Sequence, residues 1–434
     1  MKPEILQKRR KEVMELMGSG VAIIPTAPVR NRNSDVEYPF RADSDFYYLT
    51  HFPEPEAVAV LVPGREHGEY ILFCREKNRE KETWEGLRAG QEGACEFYGA
   101  DDSFPIEDID DILPGLLENR DKVFCIMGRF PDFDSRLMAW VNEVRNKSRA
   151  GVNAPGEFVD FSHILHEMRL FKRPEEVRLM KRAARISTRA HMRAMQVTRP
   201  GMYEYEVEAE LQYEFKKGGS VFPAYPPIVA GGANACILHY IENSAQLVDG
   251  DLLLIDAGAE IDGYAADISR TFPVNGRFSG EQKAIYELVL AAQLAVIEQV
   301  KPGNHWNNPH EAALRVLTEG LVELGLLKGD VDGLIEKEEY KRFYMHRTGH
   351  WLGMDVHDVG DYKLDDTWRL LEPNMVTTVE PGLYISAGSK GVHKRWWNIG
   401  IRIEDDVLIT RDGNEVLSKG VPKDPAEIEA LMAQ

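Results

Sequence analysis

The stretch Leu252–Val274, LLLIDAGAEIDGYAADISRTFPV, constrains this chain more than any other. Two apolar runs, each carrying a single aspartate, lie either side of a short polar turn, which is the pattern of a buried antiparallel hairpin and of little else. With the two-residue turn at Ile261-Asp262, Asp256 and Asp267 oppose each other across the hairpin. Directly opposed side chains share one face with Cβ atoms ~4.5–5.5 Å apart. Two carboxylates that close raise each other's pKa unless a positive group lies between them, and a bridging metal ion supplies one. One aspartate capping a turn and the other solvated is the alternative for an isolated pair; the apolar company of Leu252–Ile255 and Ala265-Ala266 argues against it.

The rest of the 434-residue chain falls into two texts. In the first, an amphipathic opening helix with Ile5, Leu6, Val13, Leu16 and Met17 inward precedes the strand-like runs 20–25, 57–64, 69–74 and 122–128 and a helix over 134–144. This reads as a smaller α/β domain over residues 1–165. From residue 166 to 434 helices dominate, beginning with the long periodic run Arg173–Met195, whose Pro174 suits a first helical turn. Further helices are expected over Glu204–Lys217, Ser279–Val300 and His310–Leu326, interleaved with strand pairs on short turns, so this second domain is α+β.

Charge narrows the partners. A formal net charge of −19 disfavours nucleic acid and anionic membranes, both of which attract positive surfaces. Four scattered cysteines without a CxxC pair fit a reducing, cytoplasmic setting, and no apolar stretch approaches the ~20 residues that span a bilayer. No G-x-G-x-x-G or Walker pattern supports dinucleotide or P-loop chemistry.

Three more segments carry chemistry. MHRTGHWLGMDVHDVG holds His346, His350 and His357 within twelve positions, a density that favours ligand or acid–base roles. TTVEPGLYI puts Glu380 at the end of an apolar run broken by Pro381-Gly382. In NIGIRIEDDVLIT, Arg402 and Glu404 share one face, and a simple salt bridge between them is an equally good reading of that pair alone. Asp256, Asp267, Glu380 and Glu404 with one histidine form an oxygen-rich set that favours Mn²⁺, admits Fe²⁺, Co²⁺ or Zn²⁺, and disfavours copper or iron–sulfur centres. Four carboxylates suffice for two ions, as in two-metal hydrolases.

These residues resemble the pita-bread metallopeptidases, and within them aminopeptidase P, over nearly the whole chain. The metal motif matches as D-A-G at Asp256, D-I-S-R-T-F at Asp267, H-W-L-G at His350, V-E-P-G-L-Y at Glu380 and R-I-E-D at Glu404. The resemblance implies a pita-bread catalytic domain, two divalent ions on those five side chains, and attack by a metal-bridging hydroxide on peptides with proline second. It implies active-site histidines at His239, His346 and His357, a supporting Arg402, proton transfer by Glu380, a substrate-contacting Trp84 reaching a neighbouring subunit, and a homo-tetramer or homo-dimer. His239 beside Tyr240 also reads as a packed core histidine, and Trp84 as an ordinary interface or core aromatic. Prolidase is the nearest alternative, but its first histidine usually follows a proline, whereas here Met345 precedes His346. Arg347-Thr348 departs from the family's usual Gly-Leu or Gly-Ile. A non-catalytic pita-bread binding module is the third reading, set back by the retention of all five ligand positions.

Overall fold

The computed structural model describes all residues 1–434 and divides into two compact units, Met1–His166 and Glu167–Gln434. In the first, a six-stranded mixed sheet runs in the order Asp102–Pro105, Tyr70–Cys74, Val58–Leu61, Val21–Pro25, Lys122–Cys125, Glu157–Asp160. Val58–Leu61 pairs antiparallel with its hairpin partner Tyr70–Cys74 and with Val21–Pro25, while the other three pairs are parallel and are joined by crossovers that contain helices. The four inner strands are near-continuous apolar runs because both faces are buried: Ala22, Ile24, Ala59, Leu61 and Leu72 on one, and on the other Ile23, Val60, Phe73 and Val123, which meet Leu113, Leu137, Trp140 and Val144 of the helices Ile109–Leu117 and Pro131–Asn146.

The opening helix, Pro3–Met17, departs from its expected inward face: Leu6, Val13 and Met17 are buried, but Leu16 is 62% exposed. Arg9 and Arg10 take the stripe instead. Their guanidinium groups lie over the rings of Tyr48 and Tyr70, and Arg10 donates to the carbonyls of Leu49 and Gly99 at 3.0 and 3.1 Å. Stacked and hydrogen-bonded, an arginine stem occupies a core position that hydropathy alone denies it.

The second unit has the pita-bread, α+β architecture. Its helices Pro174–Val197, Glu204–Gly218, Gly280–Gln299 and Asn307–Glu323 surround short antiparallel ribbons. Each helix start has a local cause. Pro174 occupies the first turn, Glu176 reaches back to the Arg173 N–H at 2.9 Å, and Ser279 with Gln282 forms a capping box.

Two ribbons set the site. In the first, Leu252–Asp256 pairs with Ser269–Pro273 on one side and Ile228–Gly231 on the other. The expected register is corrected by two positions: the turn is Asp262-Gly263, Glu260 pairs with Ala265, and Asp256 faces Ser269. Asp262 and Gly263 take φ of 49° and 80°, which a β-branched Ile261 does not adopt readily. Asp267 therefore sits diagonally from Asp256. A Cβ at Gly258, near Asp267, would come within 1.6 Å of the Ala266 carbonyl oxygen, so only glycine fits there.

In the second ribbon, Val376–Val379 pairs with Asp405–Thr410, and Gly382–Ile385 with Ile399–Arg402, as two separate pieces. The register is the same on both sides of the interruption, so Glu380 and Glu404 occupy matching positions where the pairing lapses.

Candidate metal centre and active site

The ribbons and the His346–His357 segment converge on a cavity of about 730 Å³ whose wall includes His239, Asp256, Asp267, His346, His350, His357, Glu380, Arg402 and Glu404. Every lining residue belongs to the second unit. One ligand atom each from Asp267, His350 and Glu404 lies within 4.8 Å of the others. His350 Nε2 is 3.3 Å from Asp267 Oδ2 and 3.7 Å from Glu380 Oε1. Its Nδ1 is 2.9 Å from the Trp351 carbonyl, which can only accept, so Nδ1 carries a proton and Nε2 is the nitrogen turned to the carboxylates, the one that would give its lone pair to a metal ion. The main chain around His350 is pinned to the strand Val376–Val379: its N–H donates to Thr378 Oγ1 and its carbonyl accepts from the Thr378 N–H, at 3.0 and 2.9 Å. Gly349 is needed there, since a Cβ would sit 2.2 Å from the Thr378 carbonyl oxygen.

The alternative reading of Arg402 and Glu404 as a simple salt bridge does not hold, since Arg402 pairs with Asp256. Arg402, buried, donates to Asp256 Oδ2 at 2.7 Å, the Tyr384 hydroxyl at 3.0 Å and Ser269 Oγ at 2.9 Å. Ser269 in turn donates to Glu404 at 2.7 Å. Arg402 and Glu404 are thus linked through the Ser269 hydroxyl and not by a direct ion pair.

Burial dominates the electrostatics. It pushes Glu404 and Asp256 upward and Glu380 up to about 7; neighbouring carboxylates add to the rise for all three, while Arg402 opposes it. Asp267 is buried too, yet His350 holds its carboxyl below the ordinary value, and the same contacts lift His350 to about 9 against its desolvation. Three buried carboxylates and the half-buried Glu380, against one arginine and one histidine, cannot all ionise together unless more positive charge enters. Carboxylate oxygens plus one imidazole nitrogen fit divalent ions of the Mn²⁺, Fe²⁺, Co²⁺ and Zn²⁺ group, so the donor set and its unmet charge both fit a metal.

His346 is held by both nitrogens. Nδ1 donates to the Arg347 carbonyl at 2.7 Å, so Nε2 accepts from the Tyr384 hydroxyl at 2.9 Å; burial lowers its pKa to about 4. His357 packs edge-on to His350 at 4.4 Å between ring centroids, and His239 lies exposed on the cavity wall with its side chain outside the core that buries Tyr240. The unusual Thr348 is satisfied internally: its hydroxyl meets His310 Nδ1 at 2.7 Å and the Tyr344 hydroxyl at 2.6 Å, a buried triad behind the histidine segment.

Residues 178–411 match the model of metallopeptidase family M24, and residues 6–124 that of the aminopeptidase P N-terminal domain. The chain is 46% identical to the Xaa-Pro aminopeptidase of Escherichia coli strain K12, over 98% of this chain and 97% of that protein. The chain belongs to the aminopeptidase P group of family M24. In this group it is also similar, at 62% identity and a TM-score of 0.99, to the structure of Pseudomonas aeruginosa aminopeptidase PepP, covering 100% of this chain and 98% of that one. Proline aminopeptidase P II from Yersinia pestis matches at 47% identity and a TM-score of 0.97, with 100% of both chains covered.

Within this M24 site, residues absent from the sequence reading do structural work. The Tyr225 hydroxyl lies 2.6 Å from Asp256 Oδ1 and 2.5 Å from Asp267 Oδ1, while Ser269 ties Glu404, and Tyr384 ties His346, to Arg402. Tyr225 comes from the loop FPAYPP, which has no periodicity to flag it. Tyr384 stands inside the VEPGLY motif, where its hydroxyl reaching the site was readable. Trp84 lies in the first unit, on the helix Arg79–Glu85, with 86% of its surface exposed.

Proposed function

We propose that the chain is a two-metal exopeptidase that releases the first residue of peptides with proline in second position. The observation that carries this reading is the convergence of Asp256, Asp267, His350, Glu380 and Glu404 on one cavity with His239, His346 and His357 in its wall. The five carboxylate and imidazole side chains would hold the ions, with Mn²⁺ the favoured metal. When bound, divalent ions supply a water acidic enough to ionise near neutral pH and an electrophilic pull on the scissile carbonyl.

The chain's own groups do the rest. A peptide bond before proline has no N–H, so the leaving nitrogen offers no donor and must gain a proton as the bond breaks. Glu380, with Oε2 3.9 Å from His346 Nδ1, delivers that proton, while water's hydroxyl goes to the carbonyl carbon. His239 and His357, standing in the cavity wall, orient the substrate and donate to the carbonyl oxygen as charge develops on it. Arg402 holds Asp256 in place at 2.7 Å, and Asp256 faces the substrate's free α-amino group, which restricts cleavage to the first residue.

Free Cys74, Cys95, Cys125 and Cys236 support a reducing, cytoplasmic setting, and no helix is long and apolar enough to cross a membrane. The exposed Trp84 and Leu87, at 86% and 90%, support burial of that segment between subunits of a tetramer or dimer. The test is to load the protein with Mn²⁺ and measure amino acid released from an Xaa-Pro-Yaa tripeptide and the matching Xaa-Pro dipeptide. Preference for the tripeptide is expected. Preference for the dipeptide replaces this reading with a prolidase, and cleavage of neither leaves a binding module.

A further inference from the structure

The cavity wall carries a second charged group of opposite sign. Arg347 and Lys363 both line it, and they flank one aromatic ring: the Arg347 guanidinium carbon is 5.2 Å, and the Lys363 ammonium 4.6 Å, from the centre of Trp368. The group is built and not incidental. Lys363 and Trp368 are directly paired across a small hairpin whose turn, Asp365-Asp366, takes φ of 47° and 63° as a two-residue turn of this hand requires. The Trp368 carbonyl is fixed by His305 Nδ1 at 2.6 Å. Arg347 is braced by a neutral group, donating one N–H to Asn307 Oδ1 at 2.7 Å, which leaves most of its planar fork free.

In a chain of net charge −19, two cations held over a neutral ring at the mouth of a four-carboxylate cavity give the cavity a polarity. A substrate's cationic α-amino end is drawn toward Asp256, Asp267, Glu380 and Glu404 and repelled by Arg347 and Lys363. The cations therefore face the departing part of the peptide. Their natural complement is a carboxylate, which an arginine fork binds bidentately and an ammonium binds as a point charge.

We infer that Arg347, Lys363 and Trp368 form a subsite for a carboxylate on the leaving peptide, either the α-carboxylate of a tripeptide or the side chain of an acidic third residue. The inference rests on the peptide-hydrolysing reading above and adds a substrate preference to it. Arg347, one of the two residues that depart from the family's usual text, then has a use in specificity.

The test uses the Mn²⁺-loaded full chain and three peptides: Xaa-Pro-Gly as the free acid, Xaa-Pro-Gly amide and Xaa-Pro-Glu amide. At low ionic strength the free acid, the Glu amide or both should show KM about five-fold below the Gly amide with kcat little changed, the size expected of a partly exposed charge pair. Added salt should shrink the difference. The acid arm identifies an α-carboxylate, the Glu amide arm a side chain. Arg347→Gln with Lys363→Gln should abolish the difference while raising KM for the carboxylate peptides alone, and Arg347→Lys should restore part of it. The Gly amide reports the basal reaction in every variant, and an unchanged melting temperature excludes misfolding. Equal KM values for all three peptides, or a difference that survives the double substitution, overturns the subsite while leaving the aminopeptidase reading intact. Cleavage of none of the three overturns both.

Discussion

Asp358, next to His357, offers the sharpest test of how the histidine segment is anchored. Its two oxygens receive Arg169 NH2 at 2.6 Å and Lys172 Nζ at 3.0 Å, and all three side chains are 1% exposed. Asp358→Asn keeps the shape but leaves Lys172 buried without its anion, while Arg169 keeps the part-exposed Asp355 at 2.8 Å. Breaking such a pair by removing one partner costs ~3–5 kcal/mol, and the retained amide oxygen places this case near ~3 kcal/mol. For a unit of this size each kcal/mol lowers the melting temperature by ~2–4 °C, so a fall of roughly 6–12 °C is expected. Thermal melts followed by tryptophan fluorescence read the right part of the chain, because five of the seven tryptophans (Trp306, Trp351, Trp368, Trp396 and Trp397) lie in the second unit. Adding Lys172→Met removes the stranded cation and should recover part of the loss. The pH dependence has a definite sign. Despite burial, Lys172 and Arg169 hold the Asp358 carboxyl below its ordinary value, so its contribution is complete above ~3.9 and is lost as pH falls through the lower folded value. A loss under ~1 kcal/mol at neutral pH, or a variant whose acid stability matches the parent's, would refute this account of the triad.

Asp267→Asn and Glu404→Gln should each lower bound metal, measured by plasma emission, and cut turnover by more than ~100-fold, the upper range for disturbing even an outer partner of a metal ligand. His357→Ala should lower turnover by ~10²-fold or more with metal content intact; loss of metal would instead make His357 a ligand. His191 is wholly buried, with Nε2 3.0 Å from the Ala257 carbonyl, and burial lowers its pKa to about 4. Unfolding lets it protonate at its ordinary ~6.5, so urea midpoints should fall as pH drops from ~6.5 toward 4, and His191→Gln should flatten that slope.

Much of this was legible because the ligands sit in apolar strands, where an acid is conspicuous. Asp256 after Leu252–Ile255 and Glu380 after its apolar run announce themselves against such neighbours, and Pro174 marks the long helix. The hairpin register was misjudged although the signal was present: Asp262-Gly263 is a turn dipeptide suited to positive φ, and Ile261 is not. Other features had no one-dimensional trace. Arg9 and Arg10 enter the core through rings some forty and sixty residues away, and Tyr225 reaches two aspartates from an irregular loop. Partners distant in sequence are chosen by packing, and a pattern along the chain does not record them.

The interrupted ribbon has one more consequence, for how such a site tolerates change in length. Glu380 and Glu404 are matched by register, so the connection from residue 386 to 398 between their strands can lengthen or shorten without moving one glutamate against the other, at a cost that grows only slowly with loop length. A single residue inserted within Gly382–Ile385 or Ile399–Arg402 is different: it slides one strand by one place and turns one glutamate to the opposite face. The spacing that matters is counted from the break outward along each strand, and the distance between the two glutamates along the chain is free to drift.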